Sequence, residues 1–106
     1  MLENNIVAIT GGAGLIGTAF SKAIVKNGGK VIIGDISSDR GKNLQDELGI
    51  GNSLFIKVDT SDTNSIDKFL ELGENHFGKI DSAIHCAYPR SEQWGSSFEN
   101  IEAEGL

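Results

Sequence analysis

Ile6-Val7-Ala8-Ile9-Thr10-Gly11-Gly12-Ala13-Gly14-Leu15-Ile16-Gly17 is the stretch whose reading decides the fold. The run up to Thr10 is almost wholly apolar, as expected of a short strand covered on both faces. Glycines recur at 11, 14 and 17. Leu15, Ile16, Ala19, Phe20, Ala23 and Ile24 then follow at helical spacing, up to a stop at Asn27-Gly28-Gly29. Strand, tight turn and helix N-terminus in succession make a place to hold a phosphate, because the N–H groups of the first helical turn, at Leu15, Ile16 and Gly17, lack intrahelical partners. Each glycine has a role in such a turn: Gly11 to bend sharply out of the strand, Gly14 to leave no Cβ between backbone and a pyrophosphate, Gly17 to let the helix pack close to the sheet.

Outward from this turn, apolar periodicity keeps switching between strand and helix. Val31 to Asp35 reads as a second buried strand, Ser37-Ser38-Asp39 as a helix cap, Leu44 and Leu48 as that helix's inner face, and Gly49 as its end. Leu54 to Val58 is a third strand closed by Asp59. A cap within Thr60-Ser61-Asp62-Thr63 opens a helix carrying Ile66, Phe69, Leu70 and Phe77, with Gly78 just beyond it. Ser82 to Ala87 is a fourth strand, followed by a loop and a capping-box spacing at Ser96-Ser97-Phe98-Glu99. Four strand–helix alternations with short connections predict an α/β fold, a doubly wound parallel sheet with helices on both faces. Right-handed crossovers set strands one to three side by side, and strand four returns beyond strand one, giving the order 3-2-1-4. The reversal falls at the C-terminal end of strand one, beside the glycine turn.

The bulk properties narrow the function. The 106 residues allow one domain at most, with 39% apolar and 23% charged residues, a net charge of −6 and a pI of about 4.7. No Lys/Arg cluster offers a stripe for nucleic acid, and an acidic chain is repelled by anionic membranes. No apolar run reaches the ~20 residues of a membrane helix, and the N-terminus lacks a basic region followed by an apolar one. The single cysteine, Cys86, cannot form an internal disulfide, which fits a reducing cytoplasm.

The acid at the tip of strand two gives the turn its confirming context. Asp35, with Ile36 beside it, lies where an adenosine ribose would sit; a carboxylate accepts from both ribose hydroxyls and repels a 2′-phosphate. No Arg or Lys lies in the turn or directly beside Asp35, and the nearest, Arg40, falls inside the next helix. NAD(H) is therefore expected ahead of NADP(H). Asp59 and Thr60, at the tip of strand three, read equally as a contact to the adenine edge or as a strand-to-helix cap. Ala87, at the tip of strand four, would pass close to the ribose linkage.

Thr10-Gly11-Gly12-Ala13-Gly14-Leu15-Ile16-Gly17, Asp35, Val58-Asp59-Thr60 and Phe77-Gly78-Lys79-Ile80-Asp81 together resemble the N-terminal half of the short-chain dehydrogenases/reductases. The resemblance runs to about Ala87. It implies a Rossmann fold, binding of NAD(H) or NADP(H), and hydride transfer to or from an alcohol or carbonyl carbon of a small-molecule substrate. Two departures stand out. Short members place the middle glycine where this chain has Leu15, and the spacing found here is more like the extended, nucleotide-sugar-modifying members. The family's Asn-Asn-Ala-Gly after strand four is here His85-Cys86-Ala87-Tyr88, of which the alanine alone is kept. A sugar-related substrate is one option this leaves open.

The resemblance also implies a Tyr-x-x-x-Lys pair and a Ser, which lie well past position 106 in full-length relatives. Here the one tyrosine, Tyr88, is followed four residues on by Glu92, so no catalytic residue is assigned. The expected chain is a dinucleotide-binding domain over 1–106, cut short before the catalytic segment. A non-catalytic dinucleotide-binding module and an inactive truncated fragment are the alternatives. His85 and Cys86, with His76, are too few for a structural zinc site, so no metal is expected and Cys86 reads as a buried thiol. Arg90 and Trp94 read as loop residues near a substrate pocket. A fourth strand apolar on both faces, left as an edge with helices unevenly distributed, predicts exposed apolar surface and a homo-oligomer.

Overall fold

The computed structural model describes residues 2–86. Four strands and three helices alternate along them: β1 (Ile6–Thr10), α1 (Leu15–Lys26), β2 (Lys30–Asp35), α2 (Ser38–Leu48), β3 (Ser53–Lys57), α3 (Thr63–Phe77) and β4 (Ser82–His85). The strands form one parallel sheet in the order β3-β2-β1-β4. Ile9 of β1 pairs with Ile33 of β2 on one side and Ile84 of β4 on the other. This is the doubly wound, Rossmann-type sheet that the alternation predicts, with its reversal of strand order between β1 and β4.

Strand residues alternate between the two faces, and each face has its own core. Val7, Ile9, Val31 and Ile33 pack with Ile24 of α1 and Leu44 of α2. Ile6, Ala8 and Ile32 pack on the opposite face with Val58 and with Phe69 of α3. Full burial of a side chain such as Phe69 contributes about 2–3 kcal/mol relative to leaving it exposed. The first two crossovers therefore cover one face and the third covers the other.

Local chemistry sets the ends of the helices. Ser37 Oγ accepts the Arg40 N–H at 3.2 Å to start α2, and the Asp62 carboxylate accepts the Asn64 N–H at 3.0 Å to start α3. Gly78, left-handed at φ 91°, stops α3 and donates to the Glu74 carbonyl at 2.7 Å. Asp81 then hooks the chain back to the sheet centre. Its Oδ2 accepts the Ile6 N–H at 2.7 Å, and its own N–H donates to the Ile6 carbonyl at 2.8 Å. The Ile6 N–H bond to the carboxylate, with Lys79 Nζ at 3.1 Å, holds the Asp81 carboxyl below the usual carboxylate range. The stretch from Phe77 to Asp81, read from the sequence as a family motif, thus builds the β1–β4 junction.

Three features differ from the sequence reading. Strand β3 runs one residue earlier than expected, because Ser53 is buried yet satisfied: its hydroxyl donates to the Gly49 carbonyl at 2.9 Å. The apolar residues of α1 mostly face outward, with Leu15 87%, Ile16 52% and Phe20 45% exposed. The buried residues of that helix are Gly17, Ser21 and Ile24, since only small side chains fit where its first turns come closest to the rest of the fold. Strand β4 ends at His85; Ala87, Arg90, Trp94 and the capping-box spacing at 96–99 lie outside the described residues. On β4, Ser82, Ala83 and His85 are exposed, and among the described residues the strand is paired on its β1 side alone.

Candidate functional site

The glycine turn is built from backbone contacts that side chains would block. Gly11 takes φ 71°, the left-handed conformation that a sharp exit from β1 requires. Gly12 donates to the Gly34 carbonyl at 3.0 Å, pinning the turn to β2. A Cβ at Gly12 would lie 2.9 Å from the Ile9 carbonyl oxygen, a packing role the sequence reading did not give this residue. A Cβ at Gly17 would strike the Gly11 carbonyl and lie 2.6 Å from Gly12 Cα. Gly17 therefore packs α1 against the turn itself, where the sequence reading had it pack against the sheet.

Gly14 is different. It is extended at φ −77°, and a Cβ there would meet just the Gly11 carbonyl oxygen, at an ordinary 3.4 Å. It begins α1 with no side-chain cap and no acid in the first turn. The N–H groups of Leu15, Ile16 and Gly17 precede the first intrahelical bond, from Thr18 to the Gly14 carbonyl at 2.8 Å. An uncapped N-terminus with its dipole uncompensated suits an anion.

A cleft of ~450 Å³, within the usual range for small-molecule sites, opens over this helix start. It brings together Gly11, Gly14 and Leu15 from the turn, Asp35 and Ile36 from the end of β2, and Asp59 and Thr60 beyond β3. Of the residues singled out from the sequence, Ile16 and Gly17 do not line it: Ile16 faces outward and Gly17 is buried under the turn. Three further residues do line it: Arg40, Val58 and Cys86.

Asp35 is 5% exposed and closely braced. Its Oδ2 accepts the Ala13 N–H at 3.1 Å, and its Oδ1 accepts the Ser37 N–H at 2.9 Å. The carboxylate thus ties the glycine turn to the start of α2, while each oxygen keeps lone-pair capacity toward the cleft. Arg40 corrects the sequence reading that no cation stands beside Asp35. From the first turn of α2, its Nη2 reaches back to 3.8 Å from Asp35 Oδ1. Five residues of separation put it outside the turn in sequence, yet the helix start and a long side chain return it to the carboxylate.

The other polar groups are engaged locally. Asp59 Oδ1 accepts the Ser61 hydroxyl at 2.6 Å and the Ser61 N–H at 3.0 Å, which keeps the Asp59 carboxyl below its ordinary range. Asp62, and not Asp59, caps α3. At the ends of β1 and β4, Thr10 Oγ1 and His85 Nδ1 share a hydrogen bond of 2.6 Å, and Cys86 donates its N–H to the Thr10 carbonyl at 2.8 Å. Burial pushes the Cys86 thiol up, so at neutral pH it is a protonated, weakly reactive wall of the cleft.

A cleft at a strand-order reversal, over a glycine turn and an uncapped helix, with an acid at the next strand tip, defines a doubly wound α/β protein whose cleft lies at the switch point of its sheet. Comparison with known proteins makes the class specific. The family model described as short chain dehydrogenase matches residues 5–104. The chain is 31% identical over 87 residues to 3-hydroxyacyl-CoA dehydrogenase type-2 of Drosophila melanogaster, covering 82% of this chain and 34% of that protein. It is also 31% identical to post-translational flagellin modification protein A of Campylobacter coli, covering 95% of this chain and 43% of that one. A short-chain dehydrogenase/reductase of Serratia marcescens superposes with a TM-score of 0.79 at 24% identity, over 85% of this chain and 38% of that structure. This chain belongs to the short-chain dehydrogenase family, and it spans roughly a third to two-fifths of the length of these relatives.

Proposed function

We propose that this segment holds NAD(H) for an oxidoreductase, with NADP(H) the weaker ligand. The observation that carries the reading is the open start of α1: Gly14 leaves it without a side-chain cap, at the floor of the cleft. The pyrophosphate would lie against Gly11, Gly14 and the Leu15 N–H, with Ile16 and Gly17 behind them completing the helix N-terminus, and Asp35 would accept from the adenosine ribose. Ile36, Asp59 and Thr60 would border the adenine, and Ala87 would pass near the ribose linkage. The dinucleotide supplies the hydride chemistry when bound, and this chain's residues bind and orient it.

The 106 residues contain no Tyr-x-x-x-Lys, so the role proposed for them is cofactor binding, with hydride exchange between nicotinamide and an alcohol or carbonyl compound belonging to the whole protein. A relative named as a 3-hydroxyacyl-CoA dehydrogenase and one named for flagellin modification match at the same 31%, so the proposal stays at the reaction class, sugar-related substrates included. The β4 edge, paired on its β1 side alone among the described residues, and the exposed Phe20 support assembly with a second copy. No helix among the described residues is long and apolar enough to cross a membrane, and the lone cysteine supports a cytoplasmic setting. Titrating the purified chain with NADH, followed by nicotinamide fluorescence, tests the reading. Saturable binding below millimolar is expected, and its absence overturns the proposal.

A further inference from the structure

Among the described residues, strand β3 stands at the end of the sheet, paired with β2 alone. Its sequence, Ser53-Leu54-Phe55-Ile56-Lys57, is rich in β-forming side chains and carries no charge before Lys57, a composition that recruits another strand where the edge is open. The ladder fixes which backbone groups face outward. Val31 donates its N–H to the Asn52 carbonyl, and Val58 donates its N–H to the Asp35 carbonyl, each at 3.0 Å. Alternation between these two bonds turns the N–H and C=O groups of Ser53, Phe55 and Lys57 away from β2. The outward N–H of Phe55 is nonetheless taken: Gln45 Oε1, from α2, accepts it at 2.6 Å.

Helix α2 is placed to make this contact. A Cβ at Gly41 would strike the Phe55 ring, so the missing side chain lets the helix ride close over β3. Gln45 follows four residues later, on the same face of the helix. Ser53 Oγ donates to the Gly49 carbonyl at 2.9 Å and Asn52 Nδ2 donates to the Leu48 carbonyl at 3.0 Å, which clasps the end of the helix to the start of the strand.

We infer that Gln45 closes the β3 edge against a second copy of this chain. Phe55 is the middle residue of the five in β3. Two such strands meeting antiparallel about a two-fold axis would pair Phe55 with its counterpart, each giving its N–H to the other's carbonyl, and would set Ser53 opposite Lys57 on either side. No like charges meet across that pair, so Lys57 alone is a poor guard. The Gln45 oxygen occupies the central donor on which the pairing depends, and assembly is left to other surfaces.

Amide exchange at Phe55, followed by NMR beside molar mass from light scattering, reads this edge; association through β4 leaves the Phe55 amide unaffected. Gln45→Met keeps the length of the side chain and removes its acceptor, whereas Gln45→Glu retains one. In the wild type and in Gln45→Glu, Phe55 is expected to be equally protected at about 20 µM and about 500 µM protein. In Gln45→Met its exchange is expected to quicken about tenfold at the lower concentration and to slow again at the higher, as the molar mass rises about twofold. Adding Lys57→Pro, which removes an outward N–H from β3, is expected to abolish that recovery. Unchanged Phe55 exchange in Gln45→Met overturns the inference, and so does faster exchange with no gain in mass. Gln45→Ala replaces Gln45→Met if the latter does not fold, and Phe55 protection that grows with concentration in the wild type overturns the inference without any variant.

Discussion

Helices α2 and α3 begin under the side chains of Ser37 and Asp62, whereas α1 begins under Gly14, which has none to offer. All three lie in the same sheet layout, and all three leave first-turn N–H groups that need partners. Where the start of a helix serves the fold, the chain supplies an oxygen from its own sequence. At α1 it supplies a bare backbone and a cleft. The acid that could have neutralised this helix start is instead Asp35, on the neighbouring strand, and it accepts from Ala13 at the rim of the turn. That difference separates glycines that hold the turn together from the glycine that leaves it open.

Gly17→Ala tests the first kind and carries the largest expected effect. The added Cβ meets backbone atoms of Gly11 and Gly12, which no rotamer change relieves. A loss of about 3 kcal/mol in urea denaturation is expected, together with loss of NADH binding. Near-wild-type stability would break the assignment of Gly17 to packing. Gly14→Asp gives α1 the cap that the other helices have. Stability is expected to rise by a few tenths of a kcal/mol, while NADH binding weakens by about tenfold or more as the new carboxylate occupies the N–H groups. Unchanged NADH affinity would erase the distinction between open and capped starts. Asp62→Ala is the converse and the smallest change: about 1 kcal/mol lost on denaturation, with the NADH constant within about twofold of wild type.

Much of this is legible in the sequence. The bounds of β1, the stops at Gly49 and Gly78, and the inner faces of α2 and α3 follow from periodicity and capping chemistry, which act over a few residues. The family assignment, from the glycine turn and the motif ending at Asp81, agrees with the match over residues 5–104. What escaped depends on the approach of distant backbones. The outward turn of Leu15 and Phe20 is set by how closely Gly17 lets α1 meet the turn, and hydrophobic spacing carries no record of that distance. Gly12 hid beside Gly11, although two adjacent glycines already hint at a second steric demand. Arg40 was dismissed on sequence separation, a poor measure once a helix begins between two residues. The two backbone bonds accepted by Asp35 could not be foreseen, and they make one carboxylate both a brace for the turn and the candidate ribose ligand.

The hook between Asp81 and Ile6 spans 75 residues and has a consequence in time. Strand β1 leaves the ribosome ahead of the other three described strands, yet it sits inside the sheet and needs a neighbour on each side. Its partner β2 follows after one helix, but its other edge stays unpaired until Asp81 and β4 emerge. Synthesis at about 5–20 residues per second leaves that edge open for several seconds. Closing so long a loop is entropically costly and makes formation of the β1–β4 pair a slow, late event. During that interval the nascent chain exposes an apolar strand edge, the kind of surface that pairs wrongly with other chains.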